Sequence, residues 1–348
     1  MRHLAAFTFS NMLKIRHIHF TLTLFLAAAC AVRQPAVDTS MEYARWFELS
    51  GDTLVVTSPY DGARDTTVLH ESKRLVCMSS SHVGYLEAIG ADSLVAAGSG
   101  LGFLSNEAVR SRAAEAGYES APDYETIVSL EPDYVLMYAI SSAPTQALMK
   151  LRDLGIPVLV LHEHLEPHPL GRAEYVKLFG ALAGCPQKAD SVFAAVRDAY
   201  LSMTVQEQSV NVLVNIPYGD QWYIPGSNNY MFRLIADAGG TVLGAANGVQ
   251  SSVISLEQAY SLSLEADFWL HPGWCTTKAE LASVHPLFSS FPAFRGEIWN
   301  NTAKATPGGG NAFWETGPAR PDLILRDLRT IFSGTPSTDS LTYYIPVR

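Results

Sequence analysis

Residues 74–90 have the sequence Arg74-Leu-Val-Cys-Met-Ser-Ser-Ser-His-Val-Gly-Tyr-Leu-Glu-Ala-Ile-Gly90. The apolar start of this stretch predicts a short buried strand, and the spacing over residues 82–89 predicts a helix that ends at a glycine turn. Residues 94–97 form the next apolar run and predict a second strand. Because a helix separates the two strands, the stretch indicates a unit of parallel β-sheet.

The same alternation of strands and helices continues on both sides of a helical centre. Residues 171–183 and 187–204 have the pattern of two consecutive helices, and the second, with about 18 residues, would be roughly 27 Å long. We therefore predict an α/β fold with two Rossmann-like lobes joined by a long rigid helix. Strands are predicted at 134–138, 158–161, 210–215, 268–270 and 298–300, and helices at 124–129, 144–153, 230–238, 256–264, 281–285 and 320–332.

The predicted organisation has five parts. Residues 31–40 are polar and suit a tether, and two β-prone runs around Ser50-Gly51-Asp52 predict a hairpin. The parts are a lipoprotein signal peptide (1–30), a tether with an N-terminal β-hairpin (31–72), an N-terminal α/β lobe (73–168), the linking helices (169–206) and a C-terminal α/β lobe (207–348).

The N-terminal segment has the pattern of an export signal. Lys14 and Arg16 precede an apolar run at residues 20–29, which is shorter than a membrane span needs. Cys30 follows Leu26-Ala-Ala-Ala29 and resembles the lipidated cysteine of bacterial lipoproteins, although Ala27 holds the place that leucine favours. Cleavage after an Ala-x-Ala site is the alternative, and Met1 and Met12 are both possible starts. A lipidated chain would lie in the periplasm or cell envelope, anchored to the membrane.

Composition and the absence of familiar patterns exclude several classes of function. The 348 residues are 48% hydrophobic and 17% charged, which indicates a folded chain, and a net charge of −10 argues against nucleic-acid binding. Cys77, Cys185 and Cys275 are too widely spaced for a zinc or disulfide framework. Residues 98–102 (Gly-Ser-Gly-Leu-Gly) lack the helix-opening glycine of a dinucleotide loop, and no phosphate loop or nucleophile elbow occurs. We therefore expect neither an enzyme nor a resident cofactor.

Two further patterns suggest where a ligand could bind. The segment His162-Glu163-His164-Leu165-Glu166-Pro167-His168 combines side chains that suit zinc, manganese or iron, and its alternative interpretation is a polar loop between the lobes. Aromatic residues occur in two predicted loops, at 217–230 and 299–315. Their ring surfaces suit a flat, bulky, partly apolar ligand, or else they cap the lobes.

Several motifs together resemble the periplasmic binding proteins that deliver iron-siderophore complexes, haem or cobalamin to ABC importers. The resemblance covers about residues 73–332, and residues 168–174 and 310–322 are most similar to lipoproteins of Bacteroides-type bacteria. It rests on four blocks: Arg74 to Gly90, Pro122-Asp-Tyr-Glu-Thr-Ile-Val-Ser-Leu-Glu-Pro-Asp-Tyr-Val-Leu136, Leu154-Gly-Ile-Pro-Val158, and Ser255-Leu-Glu-Gln-Ala-Tyr260 followed by Glu265-Ala-Asp-Phe-Trp269.

The resemblance implies one docking residue on each lobe and a set of ligand contacts. Glu125 and Glu257 match the family's acidic residues that meet arginines of the permease, and the alternative is a solvated glutamate in the first turn of a helix. A chelated iron or cobalt would need aromatic walls and polar anchors rather than metal ligands from the protein. The implied contacts are Ser80, Ser81, His82, Phe103, Tyr118, Tyr138, Tyr218, Trp222, Asn301 and Trp314.

The predicted function is therefore that of a monomeric solute-binding lipoprotein. It would capture an iron-siderophore, haem or cobalamin between its lobes and pass this ligand to an ABC permease and its ATPase. One alternative is a binding protein for bare zinc or manganese, in which His82, His162, His164 and His271 would be the ligands. The other alternative is a periplasmic metal-dependent enzyme or chelatase.

Overall fold

The computed structural model describes residues 41–205, 207, 209–334 and 340–348. The predicted signal peptide with Cys30, both candidate starts and the tether to residue 40 lie outside the described residues. Over the ranges that the structure describes, no helix is long and apolar enough to cross a membrane.

A small antiparallel sheet comes first. Its strands are β1 (Phe47–Ser50), β2 (Thr53–Thr57) and β3 (Arg64–Val68), in the order β1-β2-β3. The pairing of β1 with β2 confirms the predicted hairpin, and Gly51 adopts the left-handed conformation (φ 62°) that its turn requires. The strand β3 is absent from the predicted elements, because it is mostly polar and exposed and shows no apolar alternation.

The first large sheet has five strands, all parallel, in the order β10-β9-β4-β5-β6. The strands that the sequence predicts at 134–138 and 158–161 are confirmed as β9 and β10. The elements are β4 (Leu75–Cys77), α1 (Ser80–Ala88), β5 (Val95–Gly98), α2 (Glu107–Arg112), β6 (Ala114–Glu115), β7 (Gly117–Tyr118), β8 (Ala121–Pro122), α3 (Tyr124–Ser129), β9 (Tyr134–Tyr138), α4 (Gln146–Asp153) and β10 (Val158–Leu161).

Three helices then connect the two large sheets: α5 (Pro169–Glu174), α6 (Val176–Leu182) and α7 (Pro186–Met203). The 18-residue α7 confirms the long linking helix. Gly180 of α6 lies so close to α7 that a Cβ at this position would be 2.3 Å from the Ala189 Cβ. Farther along α7, the Tyr200 hydroxyl donates a hydrogen bond to Asp237 Oδ2 at 2.7 Å. The helix is therefore fixed at both ends, to α6 and to the second half of the chain.

The second large sheet has the order β13-β11-β15-β16-β17, in which only β17 is antiparallel. Two α/β units joined through α7 confirm the predicted fold class. The elements are β11 (Val210–Val214), β12 (Trp222–Ile224), α8 (Tyr230–Asp237), β13 (Gly240–Val242), β14 (Ser252–Ile254), α9 (Leu256–Ser263), β15 (Phe268–Leu270), α10 (Lys278–Val284), β16 (Glu297–Asn300), α11 (Ala312–Glu315), α12 (Pro321–Phe332) and β17 (Ile345–Pro346).

Two buried carboxylates hold the segment that precedes β1. Glu174 accepts hydrogen bonds from the backbone amides of residues 42–44 at 2.7–2.9 Å. Glu166 accepts others from the amides of Arg45 and Trp46. Burial raises the pKa of Glu166 to about 7. The N-terminal segment is therefore attached directly to the linking region, through backbone donors that the sequence does not reveal.

Candidate functional site

A cleft of about 640 Å³ lies where the carboxyl ends of strands from both large sheets meet. Parallel α/β sheets bind ligands at this edge, because the loops after the strands converge there. Ser80 and Phe103 follow β4 and β5 of the first sheet, and the other residues follow β11, β15 and β16 of the second. The lining residues are Ser80, Phe103, Asn215, His271, Gly273, Trp274, Thr276, Asn301, Thr302, Ala305, Gly309, Gly310, Asn311 and Trp314.

Two lining residues hold an uncommon backbone conformation. Asn215 (φ 67°) and His271 (φ 60°) are left-handed, and each comes directly after a buried strand of the second sheet. The Trp269 indole donates a hydrogen bond to the Asn215 carbonyl at 2.7 Å, and His271 Nε2 lies 2.7 Å from the Tyr344 hydroxyl. Non-glycine residues in this conformation cluster at functional sites, where the surrounding structure holds them.

Trp274 presents its side chain from the turn after β15. Its side chain is 71% exposed, and Asn300 fixes the backbone on both sides by donating hydrogen bonds to the carbonyls of Gly273 and Cys275. Trp274 is not among the contacts that the family resemblance implies. The available signal was the run His271-Pro-Gly-Trp274 directly after a predicted strand, because a proline-glycine turn at a strand end places the next side chain on the surface.

Aromatic rings from both halves of the molecule face the cleft. Phe103, from the loop after β5, and Trp314, from α11, are each 46% exposed. Phe313 packs edge-on against Trp314, with 4.8 Å between the ring centroids. Together with Trp274, these side chains give the cleft three accessible ring surfaces. Such surfaces suit a large ligand with flat, partly apolar faces.

The cleft has no charged wall. Among its lining residues, all of which the structure describes, there is no Lys, Arg, Asp or Glu. Burial lowers the pKa of His271 to about 4, so this imidazole is neutral at pH 7. The polar groups that remain are amides and hydroxyls, including Asn215, Asn301 and Thr302. Groups of this kind satisfy hydrogen-bonding groups on a ligand but do not neutralise a formal charge.

The structure brings together four of the ten residues that the resemblance implies as ligand contacts. Ser80, Phe103, Asn301 and Trp314 all line the cleft. Ser80 and Phe103 follow strands of the first sheet, whereas Asn301 and Trp314 follow the second sheet's β16, roughly two hundred positions later in the sequence. Their convergence makes this cleft the candidate ligand site.

Three implied contacts are buried and do not line the cleft, which corrects the sequence analysis. Ser81 donates a hydrogen bond to Glu163 Oε1 at 2.9 Å, and His82, with no exposed surface, lies 3.7 Å from the same oxygen. Trp222 stacks against Trp269 and donates its indole N–H to the Val214 carbonyl. These side chains belong to the protein interior, where they cannot contact a ligand in the cleft.

The other three implied contacts are accessible but lie outside the cleft lining. Tyr118 is 56% exposed and lies next to Gly100, and Tyr218 is 85% exposed in the turn before β12. Tyr138 lines a separate cavity of about 260 Å³ beside the small N-terminal sheet. The structure therefore gives these tyrosines no place in the cleft walls.

The four histidines of the zinc or manganese alternative do not form a metal centre. The described part of the chain contains no group of three or more His, Cys, Asp or Glu residues that could hold a metal ion. Burial lowers the pKa of His162 to about 4 and also lowers that of His164. His271 instead hydrogen-bonds with Tyr344. The segment 162–168 is a partly buried polar connection between β10 and α5, which agrees with the alternative interpretation of this segment as a polar loop.

Glu125 and Glu257 occupy equivalent places in the two halves. Each is exposed in the first turn of a short helix, α3 or α9. Asp123 and Ser255 cap these helices, and a hydrogen bond from Ser255 lowers the pKa of Glu257. Both carboxylates are accessible to another molecule.

A larger cavity of about 880 Å³ has a different character. It is lined mainly by α1, α7 and the start of α12, together with part of the loop after β16, and it contains charged side chains such as Lys304, Arg320 and Asp322. Its walls contain one large aromatic side chain, Tyr343, which is buried. The smaller cleft has the position, the exposed rings and the strained backbone of a binding site, so we assign the candidate site there.

Comparison with known proteins links this fold to a family. The sequence model of the periplasmic binding protein family matches residues 75–296. Two uncharacterized lipoproteins of Methanocaldococcus jannaschii are similar: one is 25% identical over 275 residues (74% of this chain), the other 27% identical over 185 residues (50% of this chain). The chain spans 64% and 47% of the length of these relatives.

Solved structures with the same fold include three periplasmic proteins. A heme-binding protein from Pseudomonas aeruginosa has a TM-score of 0.55 at 19% identity and covers 73% of this chain and 92% of its own. A vitamin B12 binding protein from Vibrio cholerae has a TM-score of 0.55 at 16% identity, covering 76% and 98%. A periplasmic binding protein from Veillonella parvula has a TM-score of 0.60 at 15% identity, covering 82% and 99%. At these identities the likeness concerns the fold alone.

Proposed function

The chain belongs to the periplasmic binding protein family, and from this membership we propose that it is the solute-binding lipoprotein of an ABC importer and that its ligand is an uncharged metal chelate. Family members and the similar solved structures are binding proteins, not enzymes. The enzyme and chelatase alternative is therefore set aside. The family's ligand classes are haem, iron-siderophore complexes and cobalamin, and the charge of each decides which of them fits this cleft.

The observation that carries the proposal is the cleft with three exposed rings and no charged side chain. Haem carries two carboxylates, and catecholate siderophores carry several negative charges. Such ligands are normally recognised by Arg or Lys, because a carboxylate removed from water needs an opposite charge. Cobalamin presents neutral amide groups around a flat macrocycle, and neutral ferric hydroxamates resemble it in charge. We therefore rank cobalamin first and a neutral ferric hydroxamate second.

Two polar side chains of the cleft support a ligand with an amide periphery. Asn215 follows β11 and Asn301 follows β16, both at the carboxyl edge of the second sheet, and Asn311 donates a hydrogen bond to the Asn301 carbonyl at 3.0 Å. Side-chain amides can both donate and accept, so they match the amides of a corrin ring. The rings of Phe103, Trp274 and Trp314 would contact its flat faces.

Delivery would use Glu125 and Glu257. One exposed carboxylate on each half can meet one guanidinium on each half of a permease, and such pairs give specific, salt-sensitive docking. We further propose that Cys30 carries the lipid anchor and that the protein acts as a monomer in the periplasm or cell envelope. The lipoprotein names of the two archaeal relatives support the anchor.

The test is a titration of the purified protein, followed by tryptophan fluorescence and calorimetry, with cyanocobalamin, ferrichrome, haemin and ferric enterobactin. We expect cyanocobalamin to bind most tightly and both anionic ligands to bind at least about ten-fold more weakly. Zinc and manganese salts serve as controls for the bare-metal alternative. Preferential binding of haemin or ferric enterobactin, or saturable binding of either bare metal alone, would contradict the proposed ligand class.

A further inference from the structure

We propose that Glu315 is a positioning residue that fixes the distance between the aromatic side chains of Phe103 and Trp314 across the cleft, and so sets the size of ligand that the cleft retains. Glu315 does not itself line the cleft. The inference rests on the proposed function for its ligand measurement, but the contact that carries it can be tested without a ligand.

Glu315 connects the two halves of the molecule through its carboxylate. The side chain is 1% exposed, and it accepts hydrogen bonds from the amides of Ser105 (2.6 Å) and Asn106 (3.0 Å). Ser105 and Asn106 lie between β5 and β6 of the first sheet, whereas Glu315 ends α11, which follows β16 of the second. A bidentate, charge-assisted contact of this kind holds both of its partners at one distance and in one orientation.

The loop whose amides donate to Glu315 is itself held in place. Asn106 caps α2 by accepting a hydrogen bond from the Val109 amide at 2.9 Å, and its own Nδ2 donates to Glu87 Oε2 of α1 at 2.9 Å. The backbone that donates to Glu315 is therefore fixed within the first half. Movement of Glu315 would have to break the contact rather than carry the loop along.

Main-chain atoms near Glu315 also make direct contacts between the two halves. A Cβ on Gly84 of α1 would lie 1.9 Å from the Glu315 carbonyl oxygen, and a Cβ on Gly310 would lie 1.6 Å from the Phe103 carbonyl oxygen. Only glycine allows backbones to approach so closely. The segments around residues 100–106 and 308–315 therefore meet main chain to main chain, with the Glu315 carboxylate as their charged link.

The two aromatic side chains stand at the edge of this contact. Trp314 directly precedes Glu315, and Phe103 lies two residues before Ser105. Both rings line the cleft and both are 46% exposed. Because each ring is attached to one side of the contact, loosening the carboxylate would let the distance between the rings vary. A ligand held between them would then dissociate faster.

The test compares Glu315→Gln with two matched controls. Glu174→Gln changes another buried glutamate that accepts backbone amides, but its donors belong to the N-terminal segment and it does not line the cleft. Glu107→Gln removes an exposed carboxylate one residue after Asn106. The first measurement is amide hydrogen exchange at residues 103–106 in the free protein. The second is the dissociation rate of cyanocobalamin, at a temperature where every variant is fully folded.

We expect Glu315→Gln to speed exchange at residues 105–106 and ligand dissociation by about ten-fold each, because one of the two hydrogen bonds to a charged acceptor is lost. Glu174→Gln should lower the melting temperature without changing either rate, and Glu107→Gln should change nothing. Equal acceleration of dissociation in Glu315→Gln and Glu174→Gln would show a purely structural role and overturn the proposal, as would unchanged exchange.

Glu315→Asp replaces the glutamine variant if that variant does not fold. The aspartate keeps the charge but shortens the side chain by one methylene, so it should speed both amide exchange and ligand dissociation. Normal rates of exchange and dissociation in this variant would overturn the proposal. The two inferences fail separately. If cyanocobalamin does not bind the unmodified protein, the proposed function fails. Exchange at residues 105–106 would still decide whether Glu315 fixes the contact between the halves.

Discussion

The side-chain amide of Asn300 donates a hydrogen bond to the carbonyl oxygen of Cys275 at 2.8 Å. The same amide nitrogen lies 3.0 Å from the Gly273 carbonyl, so a single fully buried side chain fixes both sides of Trp274. Asn300 is the last residue of β16, next to the strand that leads into this turn. The sheet therefore determines where the most exposed ring of the cleft stands.

Replacing Asn300 with alanine should weaken both the fold and the site. The change leaves two carbonyls of the turn without their donor, and we expect a loss of about 2 kcal/mol of unfolding free energy and about ten-fold in ligand affinity. Urea denaturation and cyanocobalamin titration measure the two effects. Asn211→Ala is the control. The Asn211 side chain also donates a hydrogen bond to a carbonyl, that of Glu265, but it lies at the amino end of β11, whereas the cleft lies at the carboxyl ends of the strands. Ligand affinity in that variant should be normal.

Trp274→Ala and Trp314→Ala should each reduce the affinity for cyanocobalamin by at least about ten-fold, because each removes a ring that would cover the ligand. Trp274→Ala should hardly change stability, because the Trp274 side chain is 71% exposed in the free protein. Trp314→Ala should cost more, because Trp314 is more than half buried and packs against Phe313. Calorimetric titration gives the affinities. Tyr218→Ala removes another exposed aromatic ring, outside the cleft, and a comparable loss in that variant would argue against the assigned site.

His168 should make the protein less stable in mild acid. Burial lowers its pKa to about 4, so the folded state keeps the imidazole neutral while the unfolded chain takes up a proton below about pH 6.5. The titration of His168 therefore leaves the free energy of unfolding unaffected above pH 6.5 and lowers it as the pH falls from 6.5 towards 4. The decrease in the free energy of unfolding amounts to up to about 2 kcal/mol between pH 6.5 and pH 5.

His168→Asn isolates the effect of the imidazole titration. His168 Nδ1 accepts a hydrogen bond from the Leu170 amide at 3.0 Å, and an asparagine side chain can still accept it. Urea unfolding at pH 7 and pH 5 should show a smaller loss of stability in the variant than in the unmodified protein. An identical loss in both proteins would mean that His168 does not titrate as described.

Charge reversal at Glu125 and Glu257 together should abolish transport in cells and leave ligand binding unchanged. Both carboxylates are exposed on separate halves and neither lies in the cleft. Uptake of labelled cobalamin in a strain that depends on this protein is the measurement, with calorimetry of the purified variant beside it. Reversal of Glu107 and Glu265 gives the same change in net charge on exposed helix and turn positions. If that control also stopped uptake, the effect would be one of overall charge rather than docking.

The sequence predicts regular elements well where apolar periodicity is strong. The strands at 134–138, 158–161 and 268–270 begin and end where predicted, and so does α3. β3 was missed because it is polar and exposed. The helix predicted at 281–285 begins earlier, at Lys278, because Thr277 and Glu280 form a capping box that apolar spacing does not reveal.

The site was predicted less completely, for two physical reasons. Trp222 occupies an inward position of β12, with buried and exposed residues alternating, and a strand of three residues is too short for that alternation to be read from sequence. Ser81 and His82 lie on α1, whose residues 81–86 are all buried. A helix surrounded by protein has no polar face, so its pattern cannot show which side chains reach solvent.

The contacts that shape the cleft are long-range. Glu315 and Ser105, or Asn300 and Cys275, meet only after the sheets have formed, and no local spacing links them. Trp274 likewise becomes recognisable as a cleft residue only once its turn is in place. By contrast, Ser80, Phe103, Asn301 and Trp314, which the family resemblance implies as contacts, all line the cleft, because residues after strand ends in parallel sheets converge on one edge.

The most direct test of the central claim is a crystal structure of the protein grown with cyanocobalamin. We expect the corrin ring in the cleft of about 640 Å³, in contact with Phe103, Trp274 and Trp314, with its amides hydrogen-bonded to Asn215 or Asn301. A cleft that stays empty at saturating ligand, or a ligand bound instead in the cavity of about 880 Å³ beside α7, would contradict the assignment of this site.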